Sequence, residues 1–268
     1  MNNLIKKFFF SSILFLLASC TTEPDDVEPW DAAAVCPAEG TNVYGMPNRG
    51  MFTDERDGQV YRYTTIGDQV WMAENLRYDA PYSMCSSDTN YIRQYCELIE
   101  HNCKTMQCCQ EKMCNNFGRY YSIIQNGEWF GLIDSVLTDT ICPKGWHIPT
   151  KAEWEILMDA MKVSGDNKSD VANRIKSSDS DFFAMSKMHY NKSDQTFTGT
   201  DDCEFSIIPS GAMNYGGQTT ESGAIFLSSS QKNTSSIYTI IVRNYTEFSF
   251  QNHKNTIRCI KNTAHPKS

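Results

Sequence analysis

Cysteine is the first residue type here that could do chemistry: the 268-residue chain carries eleven. Six stand together in "CSSDTNYIRQYCELIEHNCKTMQCCQEKMC", as Cys85, Cys96, Cys103, Cys108, Cys109 and Cys114. Thiolates this dense either hold a soft metal or pair as disulfides. Cys103 with Cys108, or Cys109 with Cys114, offers a ligand pair, but the spacing fits no zinc pattern and His101 is the only histidine nearby. Disulfides are the better reading, and six cysteines allow fifteen pairings between which sequence does not choose. Catalytic constellations are missing from the rest of the chain. It has no G-x-S-x-G elbow, no H-E-x-x-H and no phosphate-cradling loop. His101, His147, His189, His253 and His265 are scattered. The acids Asp201, Asp202 and Glu204 cluster, as calcium ligands or an acid–base pair would, but a solvated loop explains them more simply. No metal and no cofactor are expected.

The first residues bear on the redox compartment. "MNNLIKKFFFSSILFLLASC" places Lys6 and Lys7 before an apolar run from Phe8 to Leu17, too short to span a bilayer, and then small residues. Leu17-Ala18-Ser19-Cys20 resembles a bacterial lipobox. That reading makes residues 1–19 a signal peptide, Cys20 the lipid attachment site, and the mature protein a membrane-anchored lipoprotein of the cell envelope, on the outer membrane. Without the signal the chain has 22 basic against 32 acidic residues, a net charge of −10. Such a chain is a poor ligand for nucleic acid. Residues 20–50 begin with five acids and no base between Thr21 and Val35, and are expected to form an acidic tether. An acidic stretch after the lipid cysteine also resembles surface-export signals of some envelope lipoproteins. With Cys20 lipidated, ten cysteines remain for bridges: the six above with Cys36, Cys142, Cys203 and Cys259.

The elements that must position these residues are partly readable. In "FTDERDGQVYRYTTIGDQVWMAENL", Asp57-Gly58 and Gly67-Asp68 separate β-rich runs, which predicts a three-stranded meander with Trp71 and Met72 in the core. Ile92, Cys96, Ile99, Cys103 and Met106 recur at near-helical spacing, so one short helix pinned by bridges is expected there. "CPKGWHIPTKAEWEILM" begins extended, because Pro149 disfavours helix at Ile148. Thr150 and Glu153 then form a capping box, and Trp154, Leu157, Met158 and Met161 lie on one face of a helix from about 150 to 163. A second short helix is expected over 171–176. Phe205 to Ile208 reads as a strand ended by Pro209, and "AIFLSSS", "SSIYTIIVRNY" and "TIRCIKN" as three more. The class is therefore α+β with mixed antiparallel sheets.

Four of these stretches match one pattern in order. "TDERDGQVYRYTTIGDQVWMAENLRY", "NNFGRYYS", "CPKGWHIPTKAEWEIL" and "TIRCIKN" resemble the Fibrobacter succinogenes major paralogous domain, which assigns residues 51–262 to one domain with a cysteine-rich insert at 85–114 and a tail at 263–268. The GWHIPT-AEWE element is also similar to formylglycine-generating-enzyme-type proteins, of the wider C-type-lectin-like fold. That resemblance implies about two short helices, long loops on one side, and a bridge from Cys142 to Cys259. Closing a loop of over a hundred residues is worth roughly 4–5 kcal/mol in the chain-entropy model. Trp146 and Trp154 would pack on this staple, and His147 would hold the corner by a ring hydrogen bond.

Formylglycine-generating enzymes hold copper with a late cysteine pair, whereas the late cysteines here are only Cys203 and Cys259. Calcium-dependent lectins carry Glu-Pro-Asn or Gln-Pro-Asp with Trp-Asn-Asp, and these are absent. The sequence therefore reads as a non-catalytic binding module for polysaccharide or an envelope protein, with a structural subunit of an envelope assembly as the alternative. "GAMNYGG", "SSSQKNTSSIY" and "NYTEFSFQNHKN" read as polar-aromatic loops, with Asn214, Tyr215 and Tyr245 as the candidate ligand-binding residues.

Overall fold

The structure, a computed structural model, describes residues 29–81, 83–122, 140–179, 198–214, 216–219, 223–233, 236–250 and 253–262. Cys20, Tyr215, the signal segment and the tail lie outside them.

The meander forms as the turn residues dictate. Strand β1 (Arg49–Thr53) pairs antiparallel with β2 (Val60–Ile66), and β2 with β3 (Gln69–Met72). Gly67, at φ 56°, joins β2 to β3 through a two-residue turn that needs positive φ. The longer β1–β2 turn is closed by Asp54, 1% exposed, which binds the Arg56 guanidinium at 2.7 Å. Arg56 in turn donates to the carbonyls of Thr140 and Ile141 and lies 3.6 Å over the Tyr78 ring. That one side chain ties the turn to the segment leading into β4 (Trp146–His147).

Further along the chain lie β5 (Ala224–Asn233), β6 (Ser236–Val242), β7 (Thr246–Phe250) and β8 (Ile260–Lys261). The strands make two sheets, ordered β1-β2-β3-β8-β4 and β5-β6-β7. All named pairs are antiparallel. The resulting class is α+β, with five disulfides among the described residues.

Because side chains alternate along a strand, β3 feeds two cores. Val70 and Met72 enter a cluster with Tyr61, Trp146, Cys142 and Cys259, while Trp71 enters one with Trp154, Phe205 and Phe226. The Trp71 and Trp154 rings stand 4.7 Å apart, and Trp154 and Phe226 5.4 Å, so helix and three-stranded sheet meet at an aromatic stack. Burying such rings is the main favourable term in this core.

Five helices occur among the described residues: α1 (Ala32–Val35), α2 (Thr89–Leu98), α3 (Met106–Phe117), α4 (Lys151–Ala160) and α5 (Lys168–Ile175). The expectation of about two helices was too low, because the cysteine-rich segment contributes a pair. Its expected single helix is broken between Leu98 and Met106, where Thr105 starts α3 by accepting from the Cys108 amide. For α4 the capping box of Thr150 and Glu153 is present and Trp154, Leu157 and Met161 are buried, as predicted.

Other expectations need correction. The tether cannot run to residue 50, since Cys36 is 1% exposed and bonded to Cys203, and β1 begins at Arg49. Phe205 to Ile208 is no regular strand; Ile207 makes only an isolated bridge to Lys176. Strands β5 and β6 fall where "AIFLSSS" and "SSIYTIIVRNY" predict strands, whereas β7 lies in "NYTEFSFQNHKN", which reads as a loop, and Tyr245 stands in the β6–β7 turn. Trp154 packs in the cluster away from the Cys142–Cys259 bridge, and Trp146 alone lies beside it.

Candidate functional site

The ten paired cysteines are Cys36–Cys203, Cys85–Cys114, Cys96–Cys109, Cys103–Cys108 and Cys142–Cys259. The last is the staple the resemblance implies. The sulfurs of Cys96, Cys103 and Cys109 lie within 4.8 Å of one another, but each is in a disulfide and has no thiolate for a metal.

His147 holds its corner with both ring nitrogens, Nδ1 at 2.7 Å from Asn262 and Nε2 at 2.8 Å from Glu153. Burial disfavours the Glu153 carboxylate, yet the His147 and Thr150 hydrogen bonds outweigh this and hold its pKa below the ordinary value. These groups fasten β4 to α4 and to the residue after β8.

Two of the three expected binding residues, Asn214 and Tyr245, are described, and they lie in separate turns. The Asn214 amide is engaged with Gln218, donating to its side chain at 3.2 Å and accepting from its backbone at 3.0 Å, which closes its own turn. Tyr245 is partly exposed in the β6–β7 turn, beside a groove of about 390 Å³ between α4, α5 and β7. No hydrogen bond joins Asn214 to Tyr245 among the described residues.

A different cleft, of about 410 Å³, is built around Arg258. This guanidinium is 1% exposed, and burial lowers its pKa to about 9, opposed by the Asp201 carboxylate, so it is charged at neutral pH. It donates to Asn75 Oδ1 at 2.9 Å, to the Ser206 carbonyl at 2.7 Å and to the Phe205 carbonyl, and lies 4.8 Å over the Phe205 ring.

The 201–206 loop that offers these carbonyls is bent unusually. Asp201, Glu204 and Ser206 all have φ near 52°, a region costing about 1–3 kcal/mol for each such residue. Three contacts hold it there: the Cys36–Cys203 bridge, a Glu204–Arg49 ion pair at 2.5 Å, and the Asp201 carboxylate accepting from the Ser206 amide and hydroxyl. The acid cluster noted in the sequence is therefore a loop clamp. Burial raises the Asp201 pKa, opposed by its Ser206 hydrogen bonds.

On the opposite wall, Asn75 donates to the Phe117 carbonyl at the end of α3. Gly118 makes this approach possible: at φ 81° it passes Asn75 so closely that a Cβ there would stand 2.6 Å from the Asn75 Cβ. Asn115 and Asn116 then line the cleft beside Glu74 and Arg62. Asn116 is bonded to the Tyr95 hydroxyl, while Asn115 is exposed and makes no side-chain hydrogen bond among the described residues.

Sequence reasoning missed this cleft, although the matching motifs carried its parts. Glu74 and Asn75 close the first motif, Gly118 lies in the second and Arg258 in the last, while Trp154 of the third stacks under Phe226. The arrangement sets the amides of Asn75, Asn115 and Asn116, the carboxylates of Glu74 and Asp179 and the guanidiniums of Arg62 and Arg258 around one hollow.

Fold and cleft define a disulfide-bridged α+β domain knit around a buried arginine. The chain belongs to the Fibrobacter succinogenes major domain family, whose model matches residues 64–261. No curated protein and no solved structure matches it.

Proposed function

We propose that this domain is a non-catalytic binding module on a C-type-lectin-like scaffold, held in the cell envelope by lipid on Cys20, and that its ligand is a glycan. One observation carries the reading: the Arg258 cleft is concave and lined by fixed amide and carboxylate groups, and not by the apolar surface a protein anchor would fill. Paired donors and acceptors on short side chains suit vicinal hydroxyls. Asn115 is the ligand-facing group, because its amide is uncommitted, whereas Asn75 and Arg258 hold the walls. The site thus moves from Asn214, Tyr215 and Tyr245 to the wall formed by α3.

Binding of the oxidised protein to a panel of plant, host and bacterial glycans, with calcium and with chelator, tests this. Saturable binding that weakens by about tenfold or more in Asn115→Ala is expected, the loss of one good polar contact. Tyr245→Ala should bind as the parent does. Loss in Tyr245→Ala alone places the site on the hairpin instead. A blank panel from folded protein removes the glycan and favours a protein partner in an envelope assembly.

A further inference from the structure

Two disulfides of the α2–α3 pair lie side by side. Cys96–Cys109 joins the helices and Cys103–Cys108 joins the connecting turn to α3. The Sγ atoms of Cys96, Cys103 and Cys109 are nonetheless within 4.8 Å of one another, across two separate bridges. The bridges differ in protection. Cys103–Cys108 spans a sequence separation of only 5, so loop closure stabilises it least, and both its residues are partly exposed. Cys109 of the inner bridge is 6% exposed. Cys108 also lies in the first turn of α3, whose N-terminal amides favour a thiolate and make its sulfur a good leaving group.

We infer that Cys103–Cys108 is a thiol-exchange site for dithiol reductants, and that it relays exchange to the neighbouring Cys96–Cys109 bridge. A dithiol thiolate attacks Cys103 Sγ, forming a mixed disulfide, and Cys108 leaves as a thiolate at the start of α3. The second thiol of the reductant then attacks its own sulfur in the mixed disulfide. Cys103 is released as a thiolate and the reductant departs as its cyclic disulfide, having supplied two electrons. Cys103 next attacks Cys109 or Cys96, and the bond between those two breaks. The sulfur set free takes a proton from water, and no further electrons are needed. The product keeps one bridge within the set of four, newly paired through Cys103, with Cys108 and one inner cysteine as thiols.

The test uses the full chain with one equivalent of dithiothreitol, quenched with an alkylating agent and mapped by proteolysis. The expected result is label on Cys108 together with Cys96 or Cys109, and a Cys103–Cys109 or Cys96–Cys103 peptide. A Cys103→Ser/Cys108→Ser double variant should lose its Cys96–Cys109 bridge about tenfold more slowly, since the adjacent Cys103 thiolate is then gone and the reductant must attack that bridge itself. Unlabelled Cys36, Cys142, Cys203 and Cys259 report that the domain is still folded in both proteins. Label confined to Cys103 and Cys108 in the parent, or equal rates of inner-bridge loss in parent and variant, overturns the relay.

Discussion

Arg258 connects three parts of the chain: the segment after β3, the 201–206 loop and the approach to β8. Replacing it with methionine keeps much of the volume but leaves three buried acceptors without donors. We expect Arg258→Met to cost at least about 3 kcal/mol, read as a lower urea midpoint at unchanged slope. Glu153 makes a pH-dependent contribution. Its folded pKa is depressed below the ordinary 4.5, so its stabilisation is present above that value and is lost as pH falls through the lower folded value. Glu153→Gln keeps a capping side chain but not the charge. It should cost about 1 kcal/mol at neutral pH and flatten the stability–pH curve below 4.5, as measured by denaturation at stepped pH.

At the scale of elements, legibility depended on whether the signal was local. Helix α4 could be read because Thr150, Glu153 and the apolar positions lie within a dozen residues. The meander could be read because Gly58 and Gly67 adopt the positive φ that their turns need. Strand β7 could not: it is an edge strand whose residues are mostly half-exposed, so "TEFSF" has the polarity of a loop. The α2–α3 pair was read as a single helix because cysteine spacing carried the period across the turn at 99–105. The cleft was hidden for a different reason, since Asn75 and Arg258 meet across 183 residues. Gly118 links the two scales, because its φ and its closeness to Asn75 both exclude a side chain. Gly118→Ala should destabilise by about 2 kcal/mol or more and disturb the Asn75–Phe117 contact, seen as a lower melting temperature and weaker ligand binding.

For the molecule as a whole, two bridges of long span do what a larger core would otherwise do. Cys36–Cys203 and Cys142–Cys259 have sequence separations of 167 and 117. A chain begun at Met51 loses Cys36 and the start of β1, and leaves Cys203 without its partner. We expect it to be less stable than the chain begun at Ala32 by about 4 kcal/mol or more, measured by chemical denaturation. The strand order has a consequence for how the protein is made. Strand β8, at residues 260 and 261, lies inside the first sheet between β3 and β4, and Arg258 and Cys259 immediately precede it. A growing chain therefore holds the rim of its main sheet long before it holds the piece that closes it, and contacts of such long range form slowly. Four of the five bridges can close before residues 258–261 are made, but the main sheet, with the Cys142–Cys259 bridge and the Arg258 contacts, is completed only when those residues arrive.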